Sequence, residues 1–218
     1  MTTPGSFLYP MLEDGQVAAT SLLADLSRSA QAKAVESART RHVALADGAL
    51  DLDRAADAMA GAFAAGGRLF CFGNGGSATD AAGLAALFVS PSIGRPLPAR
   101  SLVADPAVLT ALANDIGVDV LFARQLIAHG RPGDVALGLS TSGGSANVLA
   151  AFAQAKRVGL LTVGLAGYGG GAMRSCADLD HCVAVDAQSV HRTQEAQSAL
   201  AHALWQRVQQ RLEHEESA

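Results

Sequence analysis

Two short stretches concentrate the residue types from which an anion site is built. Gly73-Asn74-Gly75-Gly76-Ser77 follows the apolar run Leu69–Phe72, and Ser140-Thr141-Ser142-Gly143-Gly144-Ser145 follows Val135–Leu139. Three glycines in four positions let backbone N–H groups come close to a ligand. A helix starting near Ser77 would add unpaired donors and a partial positive charge. The second stretch carries four hydroxyls, which can donate to phosphate oxygens or cap the next helix, while Gly143 and Gly144 permit a tight approach. Phosphate is the guest this chemistry favours. One such loop says little, because Gly and Ser also fill ordinary turns; two, each between an apolar strand and a helix, say much more.

The elements that must position these loops follow from the periodicity. Residues 1–15 read as irregular, broken by Pro4, Gly5, Pro10 and Gly15, and Gln16 to about Ala46 reads as one long helix or two. A helix of that length has more apolar surface than one sheet face can cover, so it packs on a partner subunit or folds back on its own domain. Leu52, Ala56, Met59, Ala60 and Phe63 mark a second helix, ended by Gly66-Gly67. Thr79–Val89 is almost wholly Ala, Leu and Phe, and is expected to be buried on most sides. Asp105-Pro106 reads as an N-cap followed by a first helical residue, and Val118–His129 as a further helix. Ala99–Val103, Val135–Leu139, Leu160–Ala166 and Cys182–Val185 join the strand before Gly73 to make five apolar strands. Helices lie between them at Ala146–Val158 and briefly at Met173–Cys176, and a last one spans Thr193 to about Glu213. Apolar strands alternating with helices imply an α/β fold: a three-layer, doubly wound, five-stranded parallel sheet with helices on both faces. Ligands in such sheets sit at the carboxyl ends of the strands where the strand order reverses, which is where both loops would lie.

Composition narrows the partners. Of 218 residues, half are hydrophobic and 17% charged, a globular balance that suits a single core. A formal charge of −4 without a basic stretch argues against nucleic acid. The glycine-rich run Val158–Met173 is shorter than the roughly 20 apolar residues of a membrane span. Cys71, Cys176 and Cys182 are odd in number and lack metal spacing, which fits reduced thiols in a cytoplasmic protein, and no secretion signal is visible in residues 1–15.

Gly73-x-Gly75-x-x-Ala78 formally satisfies the dinucleotide fingerprint. That scheme wants an acidic residue after the second strand; Asp105 reads better as a helix cap, and the hydroxyl loop has no role in it. The two loops together, with Ala113-Asn114-Asp115, Gly133-Asp134, Ser145-Ala146-Asn147 and Gln194-Glu195, resemble the sugar isomerase (SIS) domain family and, within it, the phosphoheptose isomerases. The resemblance runs from about Asp51 to Leu212. It implies a homotetrameric cytoplasmic enzyme converting sedoheptulose 7-phosphate to an aldose phosphate. By position, Asn74, Gly75, Gly76, Ser77, Asn114, Asp115, Ser140, Thr141, Ser142, Ser145 and Gln194 would contact substrate, with the phosphate on the four hydroxyl residues. The whole chain 1–218 would be one SIS domain, with 1–50 a helical arm for subunit packing and 51–218 the phosphosugar-binding core.

The departures from the family concern the chemistry. Aldose–ketose isomerisation moves a proton between neighbouring carbons through an enediolate, which needs a base near carbon and an acid near oxygen. The resemblance supplies a His and a Glu four residues apart on the helix after the first loop, with a Gln and a His near the C-terminus, the four also holding zinc. Gln194 and His202 match the second pair; Gly83 and Leu87 stand where the first belongs. A zinc site would lack two of four protein ligands, and Gln194 and His202 on one ideal helix are about 12 Å apart along its axis. His191, Glu195, His202 and Asp115 remain as titratable candidates, of which His202 and Glu195 are the expected acid–base pair. Structural roles compete with that expectation: Glu195 as a capping or interface carboxylate, His202 as a satisfied helix histidine. Two functions follow, a phosphosugar isomerase or a catalytically silent phosphosugar sensor or protein-binding scaffold of the same fold.

Overall fold

The computed structural model describes residues 19–216, with side chains from 22 to 214, so the expected irregular start and residues 16–18 lie outside the described residues. The chain divides into two units, one ending at Arg39 and the other running from Thr40 to Ala218. α1 (Ala19–Asp47, a single helix) lies in the first unit as far as Arg39, where it exposes Leu23, Leu26 and Val35, and its remainder opens the second.

In the second unit the order is α2 (Ala49–Ala64), β1 (Leu69–Gly73), α3 (Gly76–Val89), β2 (Ala99–Ser101), α4 (Pro106–Asp115), α5 (Leu121–His129), β3 (Val135–Ser140), α6 (Ala146–Val158), β4 (Leu161–Ala166), β5 (His181–Ala184) and α7 (Val190–Glu216). The strands form one parallel sheet in the order β2-β1-β3-β4-β5. Strand alternation divides the core. Leu69, Cys71, Leu137 and Leu139 face a layer built from α2, α3 and α7, while Phe70, Phe72 and Ala136 face α5 and α6. Both faces are covered, as the near-continuous apolar strands require. On the second face Phe72 packs against Phe122 and Phe152 at centroid distances of 5.3 and 5.6 Å. Gly138 makes this approach possible, since a Cβ there would lie 2.6 Å from Phe152. Each such ring, fully buried, contributes roughly 1.5–3 kcal/mol of transfer free energy.

Asp105 caps α4 as expected, its carboxylate accepting from the N–H groups of Ala107 (2.9 Å) and Val108 (3.2 Å). Three expectations need correction. Val118–His129 is not one helix: Val118–Val120 winds as a tight 3-10 turn before α5 begins at Leu121. The brief helix at Met173–Cys176 is a 3-10 segment, Tyr168–Ser175, interrupted by Gly169, Gly170 and Gly171 at positive φ. The helix after the first loop is buried along one stripe only, Ser77, Ala81, Leu84, Ala85 and Phe88, leaving Gly83, Ala86 and Val89 exposed in the single chain. Its small residues lower the period contrast, so uniform apolarity does not mean burial all round.

Among the described residues no helix is long and apolar enough to cross a membrane.

Candidate functional site

The strand order reverses between β1 and β3, and the register sets Gly73 beside Leu139. The two loops therefore leave the sheet from adjacent strand ends. The first turn is tight because Gly73 has no room for a side chain: a Cβ would sit 2.8 Å from the Ser77 carbonyl oxygen and 2.9 Å from that of Leu139. Gly75 takes φ +56°, and Ser77 and Ala78 donate back to the Asn74 and Gly75 carbonyls at 3.0 Å each. Ser77 is buried at this first helical turn, whereas Asn74, Gly75 and Gly76 are exposed. The turn itself takes the Ser77 and Ala78 N–H groups, so what the head of α3 offers an anion is the exposed glycine backbone before it and the positive end of the helix dipole.

The second turn gathers hydroxyls. Ser140 Oγ lies 3.3 Å from Ser142 Oγ and 3.0 Å from Ser145 Oγ, and Ser142 Oγ accepts from the Gly144 N–H at 3.2 Å. Ser145 precedes α6 but makes no side-chain cap, so its hydroxyl belongs to the cluster. Three hydroxyls around one point can turn spare protons toward a phosphate oxygen. Thr141 is half-buried and Ser142 exposed at the turn.

Behind this turn lies the glycine-rich segment after β4. A Cβ on Gly167 would meet the Thr141 carbonyl oxygen at 2.1 Å, one on Gly171 that of Ser142 at 2.4 Å, and one on Gly143 the Gly170 carbonyl at 2.3 Å. The Met173 N–H donates to the Gly143 carbonyl at 2.8 Å. That glycine run, uninformative by composition, is the floor on which the hydroxyl turn rests.

The two turns are joined directly. Asn74 Nδ2 donates to Asn147 Oδ1 at 2.7 Å, and Asn147 Nδ2 returns the bond to Asn74 Oδ1 at 2.9 Å. Beside this bridge a cleft of about 610 Å³ is bordered by Gly73, Asn74, Gly75, Thr79, Thr110 and Ala113, with Val103, Leu121 and Phe122 as an apolar wall. Its size is that of a small-molecule site. Asn114 and Asp115 stand at the end of the same helix as Thr110 but pair with each other, Asn114 Nδ2 to Asp115 Oδ1 at 2.9 Å, and both are exposed.

From α7, Gln194 reaches the head of α3, where a Cβ on Gly76 would fall 1.9 Å from its Nε2. The same Nε2 donates to Asp80 Oδ2 at 3.2 Å, and Ser198 Oγ donates to Asp80 Oδ1 at 2.9 Å. Asp80 and Asn147 thus stand at the candidate site without a role assigned from sequence, although Asn147 lies in one of the strings that carry the family resemblance. Asp80 had the signal of being the sole charge in an apolar helix, and Asn147 that of following a hydroxyl turn. Glu195 and His202 share a different groove, of about 430 Å³, with Arg41, Leu45 and Gln206, and no residue of either turn lines it. Glu195 pairs with Arg192, and the His202 ring packs on Trp205 at 5.2 Å. His191 is exposed at the head of α7. Within one chain the expected acid and base line one groove, and that groove is not beside the turns.

A zinc ion does not fit the residues present. Gly83 is exposed with open space around its Cβ position, and Leu87 packs against the core. Gln194 and His202 lie eight residues apart on the unbroken α7, about 12 Å along its axis. Among the described residues no three His, Cys, Asp or Glu side chains converge. Cys71 is no nucleophile either, since burial within β1 pushes its thiol pKa far up.

Comparison with known proteins agrees with this geometry. A family model described as the SIS domain matches residues 34–167. The phosphoheptose isomerase of Rhodospirillum rubrum is 42% identical over 164 residues, 74% of this chain and 86% of that protein. That of Akkermansia muciniphila is 40% identical over 171 residues, 78% of this chain and 89% of that protein. Among solved structures, a phosphoheptose isomerase from Neisseria gonorrhoeae superposes with a TM-score of 0.76 at 34% identity, covering 84% of this chain and 98% of its own. One from Francisella tularensis gives 0.72 at 28% identity, covering 89% and 100%.

Proposed function

The chain belongs to the SIS domain family and is of the phosphoheptose isomerase type, and on that footing we propose that it binds a phosphorylated sugar, a heptose or pentose phosphate, across its paired turns. The phosphate rests on Ser140, Thr141, Ser142 and Ser145, and the sugar extends past Asn74, Gly75, Gly76 and Ser77 toward Gln194, Asn114 and Asp115. The observation that carries the reading is the reciprocal Asn74–Asn147 amide pair, which holds the glycine turn and the hydroxyl turn side by side at one end of the sheet.

The reaction that goes with this ligand is aldose–ketose isomerisation of sedoheptulose 7-phosphate. A base takes a proton from C1 while an acid protonates the C2 carbonyl oxygen; the proton is then returned to C2 as the C1 hydroxyl gives up its own to become the aldehyde, and N–H and hydroxyl donors steady the enediolate between. Glu195 and His202 are the candidates for base and acid. Because their groove is separate from the turns of their own chain, they serve a site only where a second copy brings its turns to that groove. The homotetramer and the cytoplasmic location that the family resemblance implies are part of this proposal. No step is assigned to zinc, since two of its four positions hold Gly83 and Leu87.

Those two residues favour a second reading, a phosphosugar sensor or scaffold without turnover. Calorimetry with sedoheptulose 7-phosphate and pentose phosphates, beside an isomerase assay with and without added zinc, separates the two. Binding with turnover supports the enzyme, and binding without turnover the sensor. Absence of binding to any of these phosphates refutes both. Replacing the exposed Ser142 by Leu removes a hydroxyl from the cluster and puts bulk at its mouth, so binding is lost while the fold is kept.

A further inference from the structure

The hydroxyl turn is tied to α7 through one buried amide. Gln197 has no solvent exposure, and its Nε2 donates to two main-chain carbonyls at once, that of Ser140 at 3.2 Å and that of Leu165 at 2.9 Å. The Ser140 carbonyl is itself a junction. It also accepts from the Gly143 N–H at 3.1 Å, which closes the hydroxyl turn, and from the Gly167 N–H at 3.0 Å, which begins the glycine floor beneath it. Three donors from three segments converge on the first residue of the phosphate turn. One of them comes from α7, three residues beyond Gln194 and next to Ser198, which hold Asp80 on α3.

The other end of the same amide is unsatisfied: Gln197 Oε1 is buried without a hydrogen-bond partner. An orphaned buried acceptor is costly, and in a native structure it calls for a reason. Double donation supplies one. Only a primary amide presents two N–H groups on one neutral nitrogen, and Gln is long enough to carry them from a helix to two neighbouring strand ends. Directing both hydrogens at Ser140 and Leu165 leaves the oxygen buried without a partner. A helix that needed only packing here would be better served by Leu or Met.

We propose that Gln197 is a positioning residue for phosphate binding. It sets the hydroxyl turn in register with α7, and through Gln194, Ser198 and Asp80 with the glycine turn on α3. It touches no ligand. This inference rests on the proposed phosphosugar site, and it has a readout that does not depend on that site.

The test replaces Gln197 by Met, which keeps an unbranched shape and removes both donors, with Gln197→Asn as the second variant should the first not fold. Gln209→Leu is the control. Gln209 is likewise buried on α7 and bonds the main chain of Arg95 through both ends of its amide, at 3.1 and 3.0 Å, far from the turns. Removing one hydrogen bond to the turn is expected to weaken sedoheptulose 7-phosphate binding about fivefold in the Gln197 variants. The control is expected to lose stability but to bind as the wild type does. In the protein without ligand, amide hydrogen exchange at Gly143 and Gly167 should quicken at least several-fold in the Gln197 variants and remain unchanged in the control. Unchanged exchange at both glycines overturns the proposal whether or not a sugar phosphate binds. Wild-type affinity in Gln197→Met, with wild-type binding established, overturns it as well. A wild type that binds no sugar phosphate refutes the functional reading instead, and the exchange rates then decide on Gln197.

Discussion

The amide pair between the turns can be tested as a free energy. Asn147 is almost fully buried, at 5% exposure, and its two bonds to Asn74 are 2.7 and 2.9 Å long. Replacing Asn74 by Ala leaves the Asn147 amide buried with neither partner, at a cost of about 1–3 kcal/mol, and Asn147→Ala removes the same two bonds with some packing in addition. If the pair acts as one link, the double variant loses that link only once. The two single losses should then exceed the double loss by about 1–2 kcal/mol. Urea denaturation of the four proteins at pH 7 and one fixed protein concentration gives this coupling directly. Both single variants should also bind sedoheptulose 7-phosphate less tightly, because each frees one turn from the other. Single losses that add to the double loss within about 0.3–0.5 kcal/mol would show that the bridge does not hold the turns together, and the reasoning from it would fail.

Other outcomes follow from single residues. Gly83→Ala should raise stability by about 0.5–1 kcal/mol, read as a higher denaturation midpoint, because Gly83 lies inside α3 with open space around its Cβ position. Gly143→Ala should abolish phosphosugar binding in calorimetry, since φ there is +62° and the added Cβ would lie 2.3 Å from the Gly170 carbonyl oxygen. Protein dialysed against chelator and then against zinc should carry no stoichiometric zinc by mass spectrometry, as the donor set does not converge.

Acid stability also has a defined sign. Burial works to raise the pKa of Asp134, but the Arg68 guanidinium and the N–H groups of Arg68 and Arg131 outweigh it and hold the carboxyl below its ordinary value. Asp180 behaves alike: burial is outweighed by Lys156 and by the N–H and hydroxyl of Thr162. A carboxyl whose pKa is lowered by folding contributes stability that is complete above its unfolded value, about 4, and is lost as pH falls through the folded value. Asp134→Asn should therefore lower stability at pH 7 and flatten its decline below about pH 4 in denaturation curves.

The sheet and its loops were legible because period, length and punctuation agreed. Apolar strands ending at Gly73 and Ser140, each followed by a helix, leave few topologies, and parallel pairing at the β1–β3 switch follows. The places of Gly83 and Leu87 on α3 follow from their offset from the glycine turn, while the meaning given to them comes from the family resemblance alone. What was not legible depends on contacts between distant segments. No pattern marks the glycine run after β4 as the floor of the hydroxyl turn, because glycine reports freedom and not the neighbour that demands it. Gln197 reads as one more polar residue on a helix until Ser140 and Leu165 are seen beneath it. Glu195 and His202 stand out in the sequence only as titratable residues of the last helix, and which groove they face is decided by how α7 is rotated against the sheet.

Calorimetric titration of sedoheptulose 7-phosphate into the wild type and into Ser142→Leu, with unphosphorylated sedoheptulose in parallel, bears most directly on the phosphate seat. One phosphosugar bound per chain in the wild type, with no heat from Ser142→Leu or from the unphosphorylated sugar, is the predicted result. Equal binding by both proteins, or equal binding of both sugars, would contradict it.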